Sequence, residues 1–435
     1  MMSTTQTKAF GLWSAVFLGI GSMVGAGIFI VIGEAGAVAG NLVWLSFLLG
    51  GVAAVFSGYS LAKLAIAYPS RGGLVEYLVQ GYGEGIFSGT MGILFYFSQL
   101  IAIAAVAKSF GTYAATLGAL EGNWHTFFAI GIVMLFIMIN LIGAALVAKF
   151  ENIIVLIKLS ILILFSGIAL FYIDPSRLST GDMPPVNQML FAVGLTFFAY
   201  QGFSVITNTV EDMEKPERTM MRSMMIAIGL VAILYILTSI AVLGNLPLDK
   251  VIATKDYALA EAAKPIFGVW GFKIMAVTAL LATASAINAT LYAATEISYT
   301  LAIKGSLPKV YTYHLHSSYR GLVISGLLIL PMILFFNLSE VTTIAALVVL
   351  LIQGITHTGH FQHTHQTGAN RLMIIAAIIS MFFIAGLTLY HTSKHTMPMV
   401  GIYLIGTFFM AFIIELLLRL LKKRVITIQT PSRVK

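Results

Sequence analysis

The sequence predicts an all-α membrane protein of about twelve transmembrane helices, with both termini in the cytoplasm. Three observations carry this. The 435 residues are 59% hydrophobic and only 10% charged, with a mean hydropathy of +0.94, whereas soluble domains are about 25% charged. Apolar runs approaching the roughly 20 residues needed to cross a bilayer recur along the whole chain. With the N-terminus inside, seventeen Lys and Arg fall on the cytoplasmic side and six on the other, which is the asymmetry that sets topology. The net charge of +8 is therefore a matter of topology and gives no reason to expect nucleic acid as a partner. The tail cluster Lys422-Lys423-Arg424 suits anionic membrane lipid. With no cysteine, disulfides and thiolate metal sites are excluded.

The spans read as 11–38, 41–66, 84–113, 124–147, 151–173, 187–212, 221–243, 269–302, 319–337, 341–362, 370–391 and 398–421. Residues 1–8 run into span one without a small-residue cleavage pattern, so the first helix is expected to be retained. Segment 247–267, with Pro247 and Pro265 near its ends, reads as an amphipathic surface helix between spans seven and eight. Residues 422–435 form a cytoplasmic tail, and the whole chain, 1–435, is expected to be one transmembrane domain.

Span one carries Gly19-Ile20-Gly21-Ser22-Met23-Val24-Gly25-Ala26-Gly27 at its centre, four glycines in nine residues. Span six is interrupted around Tyr200-Gln201-Gly202 and then turns polar at Thr207-Asn208-Thr209. Span one starts inside and span six starts outside. A repeat that pairs them is therefore inverted, with 11–173 (helices 1–5) and 187–362 (helices 6–10) as its halves and 370–421 (helices 11–12) outside. Interrupted spans at corresponding positions of two halves are a pointer to a transporter binding site. Irregular backbone at membrane depth is tolerated where it lines a cavity.

Five blocks make the chain recognisable. "GSMVGAGIF" (21–29) resembles the first-helix motif of the amino acid–polyamine–organocation (APC) transporters, and "YPSRGGLVEYLVQGYGE" (68–84) their loop between helices two and three. "TFFAYQGFSVITNTVEDMEKPERTMMRSM" (196–224) is similar to their sixth helix and its extension. "IVLIKLSILILFSG" (154–167) and "INATLYAATEISYTLAIKGSLP" (287–308) are similar to helices five and eight of the ApcT-type branch, broad-specificity proton-coupled amino-acid transporters. The resemblance covers helices one to nine well and the C-terminal third weakly. It implies the LeuT-type 5+5 fold with discontinuous helices 1 and 6, a place in the plasma or inner membrane, and secondary transport of L-amino acids with protons as the coupling ion and no cofactor.

A zwitterionic amino acid needs partners for a carboxylate and an ammonium. The start of a half-helix has unpaired N–H groups and positive dipole character, so Gly25, Ala26 and Gly27 form the candidate carboxylate site. Relatives often carry Ser where this chain has Ala26, so backbone donors must suffice there. The bland reading of the glycines is small-residue helix packing. By resemblance, the carbonyls of Met23, Phe198, Ala199 and Gln201 receive the ammonium beside Gly202, and Phe198 is an aromatic gate. Ser204 stands where some exchangers of cationic substrates have an acid, which argues against arginine or polyamines.

Lys158 lies within span five, and an intramembrane cation is a functional hypothesis by default. Low dielectric disfavours a lone ammonium, so proton release is feasible. By resemblance this ammonium replaces a sodium ion and touches the Gly21 carbonyl and the Ser285 hydroxyl, which makes it the proton-coupling residue. The bland reading is snorkelling. Thr283 and Asn288, near Ser285, read equally well as packing. The charged run from Glu211 to Arg222 reads as a solvated cytoplasmic helix end, and the resemblance implies that it latches the inner gate against Arg71 and its neighbours. His357, His360, His363 and His365 match no trusted metal spacing and read as a polar, titratable end of span ten. Lys108 reads as snorkelling at the outer end of span three.

Two other classes compete with transport. Ser285 with Lys158 is the one pair that could suggest a membrane serine hydrolase, and both residues sit in transporter-like blocks. A channel or amino-acid sensor would bind without exchange. Within transport, the alternative to symport is a proton-independent exchanger.

Overall fold

The computed structural model describes residues 11–25, 27–70, 72–143, 145–178, 186–422 and 426. The described chain is almost entirely helical. Ten helical stretches among the described residues are long and apolar enough to cross a membrane, and Leu12–Met23 and Arg320–Phe335 are shorter apolar helices.

Span one is two helices, α1 (Leu12–Met23) and α2 (Gly27–Ala39). A 3₁₀ turn leads into α3 (Val43–Ala67). Next come a short α4 (Leu74–Tyr82), where the resemblance implies a loop, and α5 (Ile86–Leu117). Helices α6 (Trp124–Ile142) and α7 (Ala145–Ala169) follow. Span six is α8 (Val186–Tyr200) followed directly by a 3₁₀ segment, Gln201–Asp212. The expected interruption is thus a tightening of the helix rather than an unwound loop. Twelve residues is long for a 3₁₀ run, which ordinarily ends after three or four and often marks a hinge.

Helix α9 (Pro216–Asn245) starts on Pro216, whose missing N–H costs nothing in a first turn. The expected amphipathic helix 247–267 is instead two short helices, α10 (Leu248–Ala253) and α11 (Ala258–Glu261), joined by a 3₁₀ turn. Helix α12 (Lys264–Lys304) is kinked at Gly268, where φ of 62° requires glycine. A two-residue hairpin, β1 (His314–Leu315) and β2 (Ser318–Tyr319), leads into α13 (Arg320–Phe335). Helix α14 (Leu338–Gln362) opens with a capping box between Asn337 and Glu340. The chain closes with α15 (Thr364–Thr367), α16 (Arg371–His395) and α17 (Val400–Lys422).

Two groups of helices carry the core. One packs α1, α2, α3, α8, the 3₁₀ segment and α9; the other packs α5, α6, α12 and α13. In the first group α2 lies on α8 while α1 lies on the 3₁₀ segment, so the two broken spans lie alongside each other and meet at their breaks. Hydroxyls fasten α8 to α3: Thr196 donates to the Ser46 carbonyl at 2.8 Å and Tyr200 to the Phe47 carbonyl at 2.9 Å. Helix α7 packs on α9 and α12, and α14 packs on α5 and α16.

A buried carboxylate paired with a lysine stands at each end of this core. Glu34 of α2 lies 3.2 Å from Lys255 and accepts from Ser339 at 3.0 Å. Glu76 of α4 lies 2.6 Å from Lys304 at the end of α12. Lys108 is buried, with Glu340 and Asp256 as the acidic groups acting on it, so it does not snorkel as expected.

Candidate functional site

The site grows from an unfinished helix. An α-helix that stops at Met23 leaves its last four carbonyls without intrahelical donors. Three of them are satisfied in three ways. Ile20 O accepts from the Val24 N–H at 2.8 Å. Gly21 O accepts from Lys158 Nζ at 2.7 Å. Met23 O accepts from the Tyr235 hydroxyl at 2.7 Å. The break in span one is thus capped by a side chain from α7 and another from α9.

Tyr235 also reaches the second break, with its hydroxyl 3.2 Å from Ala199 O. One fully buried hydroxyl therefore joins the carbonyls of both interrupted spans. Two of the carbonyls expected to receive an ammonium, Met23 and Ala199, already accept from Tyr235. Each carbonyl has a second lone pair. Gln201 O accepts from Ser204 Oγ at 3.2 Å. Phe198 is buried in the last turn of α8.

The glycines explain how the breaks come so close. A Cβ on Gly27 would lie 2.5 Å from Ala199 O and 2.8 Å from Tyr235 Oη. A Cβ on Gly202 would lie 2.5 Å from Met23 N. The two spans interlock reciprocally, each glycine seated on the other span's backbone. Gly25 faces Ala286 of α12, and Gly21 faces Val155 of α7, each with a would-be Cβ at 2.8 Å from its neighbour. Packing therefore accounts for part of what the sequence suggested as ligand binding. The N–H groups at the start of α2, from Gly27 onward, remain without intrahelical carbonyls by construction. Ala26 lies outside the described residues.

Lys158 is 0% exposed, so it does not snorkel. The structure brings it to Gly21 but not to Ser285. Ser285 instead donates to Glu151 of α7, because a carboxylate accepts a hydroxyl proton that an ammonium cannot. Glu151 also acts electrostatically on Lys158. Asn288 accepts from Asn140 at 2.8 Å, and Thr283 bonds back to its own helix at Ala279, both as packing would have it.

Arg71, the expected latch partner, lies outside the described residues; the buried pair found at this end is Glu76 with Lys304. His357 and His360 are buried against α3 rather than forming a titratable surface end. His365 is exposed and His363 half-buried. Among the described residues no group of three His, Asp or Glu is placed to share a metal. Sequence reasoning missed Tyr235, whose only signal is a lone phenol within the apolar run "VAILYILTSI".

Comparisons with known proteins bear on this arrangement. The family model described as "Amino acid permease" matches residues 10–355. The chain is 31% identical over 427 residues to the inner membrane transport protein YbaT of Escherichia coli (strain K12), covering 96% of this chain and 99% of that protein. It is 34% identical over 426 residues to the uncharacterized protein MJ0609 of Methanocaldococcus jannaschii, covering 96% and 97%. It is 25% identical over 405 residues to the serine/threonine exchanger SteT of Bacillus subtilis (strain 168), covering 88% and 91%.

Proposed function

The chain belongs to the amino acid permease family, and from that premise we propose that it carries L-amino acids across the cell membrane by alternating access, coupled to protons through Lys158. The observation that carries this reading is the capping of α1. The carbonyls freed by the break in span one are held by an ionisable side chain, Lys158, and by a hydroxyl, Tyr235, that also holds span six.

The twelve-span reading follows when α1 with α2 is one span and the short α13 another. The packing supports a 5+5 inverted repeat over 11–173 and 187–362. Span two packs on span seven, span three on span eight, and span four on span nine, each pair five apart. Helices 370–421 then lie outside the repeat, and the charge asymmetry supports both termini inside.

In this reading the substrate carboxylate binds N–H groups of Gly25, Ala26 and Gly27. Its ammonium takes second lone pairs on Met23, Ala199 and Gln201, with Phe198 and Gly202 completing the wall. Protonated Lys158 ties α7 to α1 through the Gly21 carbonyl. Losing the proton removes the charge that strengthens this bond and frees α7 to separate from α1. A lysine thus does the work of a bound cation. The name of SteT, a serine/threonine exchanger, favours one alternative, exchange of amino acids. Counterflow in proteoliposomes tests transport itself. Vesicles loaded with an unlabelled amino acid are expected to take up the labelled one transiently. Binding without any counterflow would mark a sensor instead.

A further inference from the structure

We infer that Glu151 is the cytoplasmic proton partner of Lys158, the group that takes its proton when the protein opens inward and passes it to water. The inference rests on the coupling role of Lys158 proposed above. Lys158 is 0% exposed and makes its bond inside the protein, to Gly21 O at 2.7 Å. Its proton therefore needs a second group to reach solvent.

Glu151, Val155 and Lys158 stand at i, i+4 and i+7 of α7, which is one face of a helix. Val155 and Lys158 fix where that face looks. A methyl of buried Val155 lies 2.8 Å from a would-be Cβ on Gly21, while Lys158 holds the Gly21 carbonyl. Glu151 stands on the same face, two turns and roughly 10 Å closer to the cytoplasm in the orientation proposed above. Ser285 of α12 meets it there and donates to Oε1. Unlike Lys158, Glu151 is only half-buried. It acts electrostatically on the ammonium and also meets solvent.

In the arrangement described, Lys158 is engaged with Gly21 and Glu151 with Ser285. Once α1 moves away, the Gly21 carbonyl is withdrawn and the ammonium loses its acceptor. A long side chain on a helix leans toward the N-terminal end of that helix, which on α7 is the end where Glu151 stands. Ser285 occupies Oε1, and Oε2 takes the proton. One N–H bond of Lys158 breaks and one O–H bond of Glu151 forms, so an ammonium and a carboxylate become an amine and a carboxylic acid. Low dielectric favours that step, because buried charge costs more than the neutral pair. The O–H bond then breaks to water at the cytoplasmic mouth and the carboxylate is restored.

The helices packed around this face hold their own ionisable groups elsewhere. Leu12–Met23 of α1 contains no titratable side chain. On α9, Tyr235 gives its proton to Met23 O, and Thr238 is bonded to Ser166 of α7. On α12, Glu296 lies about three turns beyond Ser285 and acts on Tyr319, and Lys304 is paired with Glu76.

Proteoliposomes with a trapped pH indicator test the inference as a transported amino acid is added outside. Glu151→Gln keeps an acceptor oxygen for Ser285 but cannot take a proton. It is expected to acidify the lumen about a hundredfold more slowly than the wild type, the worth of a positioned proton-transfer group. Its counterflow, which moves no net proton, is expected to survive. Glu151→Asp keeps a carboxylate and is expected to recover most of the rate. Ser285→Ala is expected to slow acidification by less than about tenfold, the worth of one hydrogen bond. Acidification by Glu151→Gln at the wild-type rate, loss of counterflow in step with it, or an equal loss in Ser285→Ala would overturn the inference and leave Lys158 as the coupling residue. Acidification undiminished in Lys158→Gln would refute the coupling itself, and this inference with it.

Discussion

Lys158→Ala is expected to abolish gradient-driven accumulation of substrate while leaving counterflow intact. The side chain makes one hydrogen bond, to Gly21 O at 2.7 Å, and a bond of this charged kind is worth about 1.5–3 kcal/mol. Its removal unties α7 from α1 permanently, in the way deprotonation would do transiently. Alternating access would continue, but no step would require a proton. Lys158→Gln separates charge from packing, since a carboxamide can still donate to Gly21 O yet cannot titrate. It is expected to keep the thermal stability of the wild type and to lose coupling. Accumulation that still follows an imposed proton gradient in both variants would sink the switch.

Gly27→Ala is expected to reduce transport to background, at least a hundredfold. The new Cβ would sit 2.5 Å from Ala199 O and 2.8 Å from Ala199 Cα, and backbone cannot turn aside as a flexible side chain can. Overpacking of this kind costs about 1–3 kcal/mol. Here the strain falls where Tyr235 joins the two breaks, so α2 and α8 must separate and the hydroxyl loses a carbonyl. Gly229→Ala is the control. Gly229 lies in α9 with open space around its Cα, and alanine at such a position stabilises by about 0.4–1 kcal/mol. Uptake assays with melting temperatures of both variants check this. Near-normal uptake by Gly27→Ala would show that the close approach is dispensable.

Much of the fold was legible because hydropathy alone marks a span, and the paired breaks were legible because glycines cluster in one and Gln201-Gly202 interrupts the other. What was not legible depends on partners far apart in sequence. Tyr235 looks like any interior aromatic until the fold sets its hydroxyl between Met23 O and Ala199 O. The partner of Ser285 was misassigned because Glu151 is separated from it by 134 positions. The pairing of Ser57 and Ser60 with His357 and His360 appears only once α3 and α14 are aligned, since both pairs repeat at one helical turn. A 3₁₀ segment in place of a loop leaves no signature in residue type, so the second break was located by its polarity and its form was missed.

The central claim is that substrate and proton move together through Lys158. The most direct measurement is the pH inside proteoliposomes holding the wild-type chain and a trapped indicator, followed as a transported amino acid is added outside with no gradient imposed. The account predicts that the lumen acidifies in step with uptake, and that Lys158→Gln vesicles show no acidification. Net uptake with no change in lumenal pH would contradict it.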